Sequence, residues 1–318
     1  MEALMKKRTF FSLLLCIAVL VTTLLPTKAA NLPSLSGKLV FHRYSDYDAE
    51  DSQLYLYDFS KGSLTCLSKN MTGVHHAMNA TFSPDGKSIT FMGISDEDQW
   101  DIYLYTFQDH MLKNLTASDA GRHEDPKFSP DGKSICFKSC PDGKEYAQLY
   151  TYRLSTGKLT KLTHANTEHS MPYFSKTGKY IYYVRGDGKD SQIWKYKNGK
   201  NSRIYKRTNV ECYYPIVAKS TGDVFFSRWY SADNHADQIY RYRPSTGKIK
   251  RLSFNNPDYD TSDYCEVSKN YGIVSSTKDG DTYDLFLVSV NGKKMTNLNT
   301  YYKEFNSGLQ ELGADYHE

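Results

Sequence analysis

No Gly-x-Ser-x-Gly elbow and no glycine-rich phosphate loop occurs in the 318 residues, which removes a serine-hydrolase turn and a nucleotide cradle from the available readings. Cysteine is sparse as well. Leaving aside Cys16 in the N-terminal apolar run, five remain (Cys66, Cys136, Cys140, Cys212 and Cys265), an odd number with no disulfide-framework or zinc-pair spacing. Cys136 and Cys140 could form one bridge, but small buried hydrophobes on strands are the expected reading. A strong excess of one charge is also missing: the formal net charge is +4. Residues 1–29 hold Lys6, Lys7, Arg8, Lys28 and Glu2, a net of +3, so the rest of the chain carries about +1. That gives no electrostatic reason to expect nucleic acid as a partner. Tryptophan is scarce, at 3 residues, whereas tyrosine reaches 27 and phenylalanine 15, which favours half-buried pleated surfaces and an all-β fold.

The one long apolar run, Phe10 to Leu25, follows Lys6-Lys7-Arg8 and precedes Pro26-Thr27-Lys28-Ala29-Ala30. These are the three zones of a secretory signal peptide, so residues 1–29 are expected to be removed, with an uncleaved anchor as the alternative. Export then follows, to a periplasmic, cell-surface or secreted location, with no stable membrane insertion after cleavage.

The rest is organised by a repeat. Phe82-Ser83-Pro84-Asp85-Gly86-Lys87-Ser88-Ile89 returns as Phe128-Ser129-Pro130-Asp131-Gly132-Lys133-Ser134-Ile135 and, less strictly, as Phe174-Ser175-Lys176-Thr177-Gly178-Lys179-Tyr180-Ile181. Taken on the reference glycine, positions 37, 86, 132, 178, 222 and 272 are separated by 49, 46, 46, 44 and 50 residues. A period in this range points to propellers or solenoids. Each unit reads as a short strand, a Ser-Pro-Asp-Gly turn, an alternating strand, a polar loop, a strand such as Ile102-Tyr103-Leu104-Tyr105, and a closing strand such as Leu159-Thr160-Lys161-Leu162. Four strands per unit and six units predict one six-bladed β-propeller of four-stranded antiparallel blades over residues 30–318. The tail, Leu309 to Glu318, is expected to supply the innermost strand of the first blade; Leu32 to Gly37 is the competing candidate.

The Phe-Ser-Pro-Asp-Gly-Lys copies, followed by Ile-Tyr and Leu-Thr strands at this period, resemble TolB-type six-bladed β-propeller repeats. The resemblance is to the propeller alone, without the N-terminal α/β domain of that family. It implies an exported module that binds a protein or glycan partner, acts as a monomer and performs no chemistry of its own.

Reading back nine or ten positions from each glycine yields His76, His123, His169, Tyr213 and Asp263, which the repeat is expected to gather at one mouth of the channel. His75, Glu124, Asp125 and Glu168 stand beside them. Imidazoles and carboxylates would suit a divalent metal ion, with His76, His123 and His169 as ligands. The bland reading is hydrogen-bonded loop histidines. The metal reading resembles certain oligogalacturonate lyases, in which channel-mouth histidines hold a metal that acidifies the proton beside a sugar carboxylate. That resemblance implies a second function, a metal-dependent polysaccharide lyase, with His164, Arg122 and Arg228 as candidates for base and uronate contact. Acidic stretches such as Asp96-Glu97-Asp98 match no complete calcium loop and read as solvated turns. Aromatic loops at Gln99-Trp100 and Arg228-Trp229-Tyr230 are candidate contact surfaces.

Overall fold

Alternation decides where the strands lie. Along Ser134–Pro141 and Gln148–Arg153, Ile135 pairs with Tyr152 and Phe137 with Tyr150, so each ladder step puts an apolar side chain on the same face. The computed structural model describes residues 33–318, so the expected signal peptide lies outside the described residues. Ser36–Glu318 forms one compact unit of six four-stranded antiparallel sheets. Innermost strands are Gln310–His317 in blade 1, Val74–Phe82 in blade 2, Gly121–Phe128 in blade 3, His169–Phe174 in blade 4, Cys212–Val217 in blade 5 and Thr261–Ser268 in blade 6.

Blade faces meet through large buried side chains. Val40 and Leu54 of blade 1 pack with Phe82, Ile89 and Phe91 of blade 2, and Phe225 of blade 5 stacks on Tyr264 of blade 6 at 3.9 Å between ring centroids. Each such side chain, fully buried, contributes about 1.5–3 kcal/mol, so cohesion is spread around the ring.

Closure uses both ends of the unit. Gln310–His317 pairs antiparallel with Lys38–Tyr44, Lys38 facing His317 and Arg43 facing Glu311. The tail is therefore the innermost strand of blade 1, as the spacing predicts. Arg43 also donates from Nε to Glu311 Oε1 at 2.8 Å, and its guanidinium lies over the Phe41 and Tyr55 rings.

The repeated turns line one face of the ring, called here the turn face. In blades 2 and 3 the serine hydroxyl donates to the aspartate, Ser83 Oγ to Asp85 Oδ1 at 2.7 Å and Ser129 Oγ to Asp131 Oδ1 at 2.6 Å. Gly86, Gly132 and Gly178 take φ of 68°, 67° and 71°, which only glycine adopts freely. At Gly86 the missing side chain also makes room for the preceding blade, since a Cβ there would strike the His317 ring at 2.6 Å; at Gly132 and Gly178 a Cβ would reach only ordinary contact with Pro84 and Pro130, so the positive φ alone asks for glycine.

Candidate functional site

The channel follows from an irregularity repeated in every blade. Pairing between the first two strands shifts register in all six, a β-bulge that re-aims the side chain at the break. Beside each shift sits a residue with left-handed φ: Asn79, Asp125, Met171, Tyr214, Asp263 and Gly313. For Met171 and Tyr214, at 51° and 47°, that conformation costs about 1–2 kcal/mol each. Blade 1 has glycine here for a second reason: a Cβ on Gly313 would lie 2.6 Å from the buried His42 ring.

At its waist the channel narrows to about 30 Å³, lined by Asn79, Lys127, Tyr173, Tyr214, Asp263 and Asp315 among others. Burial raises the Asp125 and Asp263 carboxyls and lowers the Lys127 ammonium. Asn79 Nδ2 donates to Asp125 Oδ1 at 3.2 Å, and the Gly313 amide to Asp263 Oδ2 at 3.3 Å. Such a waist has room for about one water molecule.

Opposite the turns is the start face, where the innermost strands begin, and here lie most of the residues singled out from sequence. They are on the strands rather than on loops leading into them. His76 accepts the Ser52 amide at 3.3 Å through Nδ1 and lies edge-on to Tyr47 and Trp100. His123 Nε2 meets the Asp119 carbonyl at 2.8 Å; His169 Nδ1 meets the Thr167 carbonyl at 2.9 Å and its ring stacks on Tyr183. One nitrogen of each imidazole is bonded locally, while Nδ1 of His123 is buried without a partner among the described residues. Among the described residues no group of three or more His, Cys, Asp or Glu side chains is arranged to hold a metal ion. The repeat phase puts His76, His123 and His169 at corresponding positions of successive innermost strands, each with one hydrogen bond in its own neighbourhood. Of the lyase candidates, Arg122 is paired with Glu124, and Arg228 is buried with its guanidinium on Tyr205 Oη and two main-chain carbonyls. His164 is exposed. In the loop Arg228-Trp229-Tyr230, Trp229 stacks on His235 at 3.8 Å while Tyr230 is exposed. The five cysteines among the described residues are free, Cys136 and Cys140 included.

Tyr213 and Asp263 fare differently. The Tyr213 hydroxyl bonds to the Asp237 carboxyl, and Asp260 and Asp263 lie close enough to add their charge. Burial foremost, with those carboxylates, pushes Asp237 up to about 8. A carboxyl in that range exchanges a proton near neutrality. The sequence reading did not contain Asp237; it lies on the third strand of blade 5, outside the repeat phase that was followed.

The turn face opens into a funnel of about 740 Å³ to which all six blades contribute. Its rim carries Pro84, Pro130, Lys176, Ser220, Lys269 and His317, one from each blade, and Lys127 closes the bottom. Phe128, Phe174 and Val217 supply apolar wall. Some polar groups are already engaged: Asp315 accepts the Phe82 amide at 2.8 Å, and Glu266 accepts the Ser220 amide at 2.9 Å. No hydrogen bond or ion pair reaches the Lys127 ammonium from the described residues.

A closed ring of six four-stranded blades around a polar channel is a six-bladed β-propeller. Residues 32–233 match the TolB beta propeller domain, and the chain belongs to that family. An uncharacterized protein of Agrobacterium fabrum is 30% identical over 136 residues, 43% of this chain and 44% of that one, so the chain spans under half the length of this curated relative. TolB from Acinetobacter baumannii superposes with a TM-score of 0.68 at 17% identity, over 89% of this chain and 67% of that one. The oligogalacturonate lyase of Vibrio parahaemolyticus gives 0.52 at 12% identity, over 82% and 79%. At these identities the superpositions speak for the fold alone. Among the described residues no helix is long and apolar enough to cross a membrane.

Proposed function

We propose that the chain is an exported, single-domain binding module whose funnel seats a segment of a protein or glycan partner, without catalysing a reaction. The observation that carries this reading is the funnel: about 740 Å³, rimmed by all six blades, with apolar walls and the unengaged Lys127 ammonium at its base. A mostly preformed concavity with a few polar groups is the usual form of a binding site. Export rests on Lys6-Lys7-Arg8, the run from Phe10 to Leu25 and Ala29-Ala30. A monomer is sufficient, since each blade already has two neighbours in the ring.

Cross-linking in the native host tests the reading. The Lys176→Glu/Lys269→Glu chain should lose the partner recovered by wild type, while Arg122→Ala on the opposite mouth should keep it. Equal recovery by all three would remove the funnel from the account. The lyase alternative is met by assaying bound metal and unsaturated-uronate absorbance with pectic oligomers: metal-bound protein that produces the absorbance would replace the binding reading.

A further inference from the structure

Charge is distributed unevenly round the ring. Blade 4 and the loop after it, residues 169–209, hold ten Lys and Arg against two acidic residues, Asp187 and Asp190, a net of +8. That stands within a chain whose formal net charge is only +4. None of the ten makes an ion pair with a described carboxylate, whereas Arg43, Arg122, Lys138 and Lys219 elsewhere all do. Concentrating eight uncompensated charges on one blade opposes folding by self-repulsion, so a compensating anion is the natural complement.

Their placement forms a stripe. Antiparallel pairing puts the hairpin before Ile181–Arg185 and the hairpin joining Gln192–Lys197 to Lys200–Tyr205 at the same end of the blade. Lys176, Lys179, Lys197 and Lys200 therefore share the turn face. Lys195 and Arg203 lie midway, and Arg185, Lys189, Lys206 and Arg207 stand at the opposite end. A six-residue strand spans roughly 20 Å, so Lys197, Lys200, Arg203, Lys206 and Arg207, on or beside the outermost strand, run along the outer edge of the blade from one face of the ring to the other, while Lys176 belongs to the funnel rim. Seven of the ten are exposed. The outermost strand, Lys200–Tyr205, has no further strand beside it.

The aromatic rings within the stripe are already in use. Tyr180 has the ammonium groups of Lys179, Lys195 and Lys197 at 5.6, 5.2 and 5.6 Å from its centroid, and Trp194 carries the Arg185 guanidinium at 4.7 Å. Single-stranded nucleic acid gains much of its affinity by stacking bases on open rings. This surface offers charge instead, in a line.

We propose that the outer edge of blade 4 is a docking surface for an extended anionic glycan, one bearing a carboxylate on successive sugars. It is separate from the funnel and stands or falls independently of what the funnel holds. Binding would be electrostatic, steep in salt and tolerant of the neutral parts of the sugar.

The test uses the full chain with polygalacturonate, its fully methyl-esterified form, which has the same backbone without the charge, and poly(dT). Polygalacturonate should bind at low salt and be released at about 0.5 M NaCl, where the screening length falls to about 4 Å. Lys179→Glu/Lys200→Glu/Lys206→Glu should weaken it roughly tenfold or more, each exposed pair being worth up to about 1 kcal/mol. Lys144→Glu/Lys158→Glu/Lys161→Glu, the same charge change on blade 3, should leave affinity within about twofold. Equal binding of the esterified polymer, equal loss in the two triple variants, tighter binding of poly(dT), or no polygalacturonate binding at low salt would each overturn the proposal.

Discussion

The two faces of the ring treat the same carboxyl chemistry in opposite ways. On the turn face, hydrogen bonds from Ser83 and Ser129 hold Asp85 and Asp131 below the ordinary carboxyl range. Toward the start face, burial pushes Asp237 up to about 8 and Glu311 up to about 7, the latter despite Arg43. Exposure decides the sign: a carboxylate that caps an open turn keeps its water, whereas one enclosed among tyrosines or behind the closing strand gives it up. Linkage then runs in opposite directions. The turn carboxylates stabilise the fold above their unfolded pKa near 3.8, and that contribution is lost as pH falls through their lower folded values. Asp237 and Glu311 hold protons in the fold that the unfolded chain releases, so their contribution is complete at acid pH and is lost as pH rises toward 7 and 8.

The contrast can be broken at its strongest point first. Above pH 8, where Glu311 is ionised in the wild type, Arg43→Ala leaves that buried carboxylate without its cation and should cost about 3–5 kcal/mol in urea unfolding, while Lys61→Ala, which removes the exposed partner of Asp58, should cost at most about 1 kcal/mol. Similar losses would mean that the closing strand is not held by its ion pair. Next comes Asp237→Asn. Wild type should lose stability between pH 6 and 8, and the variant should flatten that slope by on the order of 1 kcal/mol per pH unit; an unchanged slope would place the proton elsewhere. Smallest is Asp131→Ala, expected to cost about 0.5–1.5 kcal/mol at pH 7. Its deficit should shrink in acid as the wild-type carboxylate protonates, and a deficit that grows in acid would reverse the sign assigned to the turn face.

The turn face was legible because its chemistry is sequence chemistry. A Ser-Pro-Asp-Gly turn needs those side chains and that glycine, so the repeat counts the blades, and the leftover tail length tells which strand closes the ring. The channel was not. Its bulge residues, Asn79, Asp125, Met171, Tyr214, Asp263 and Gly313, share a backbone conformation and no side-chain chemistry. Only spacing marks them: Asn79, Asp125 and Met171 each stand seven positions before their reference glycine. Reading nine or ten positions back met Asp263 itself in blade 6, but in blades 2 to 4 it met the histidines, two or three residues toward the start face. The reading also assumed that residues at one repeat phase converge on one ligand. His76, His123 and His169 each give one ring nitrogen to a nearby main-chain group, and among the described residues they form no cluster arranged to hold a metal ion.

The eight residues of Gln310–His317 pair with Lys38–Tyr44 across almost the whole unit, so a ribosome makes them long after their partner strand. Until they emerge, Lys38–Tyr44 has an unpaired edge, with Leu39, Val40 and Phe41 lacking the cover they have in the finished ring. Such an edge invites pairing with another chain. The first blade therefore stays incomplete while the five others are made, and a chain cut before Gln310 would leave that edge open for good.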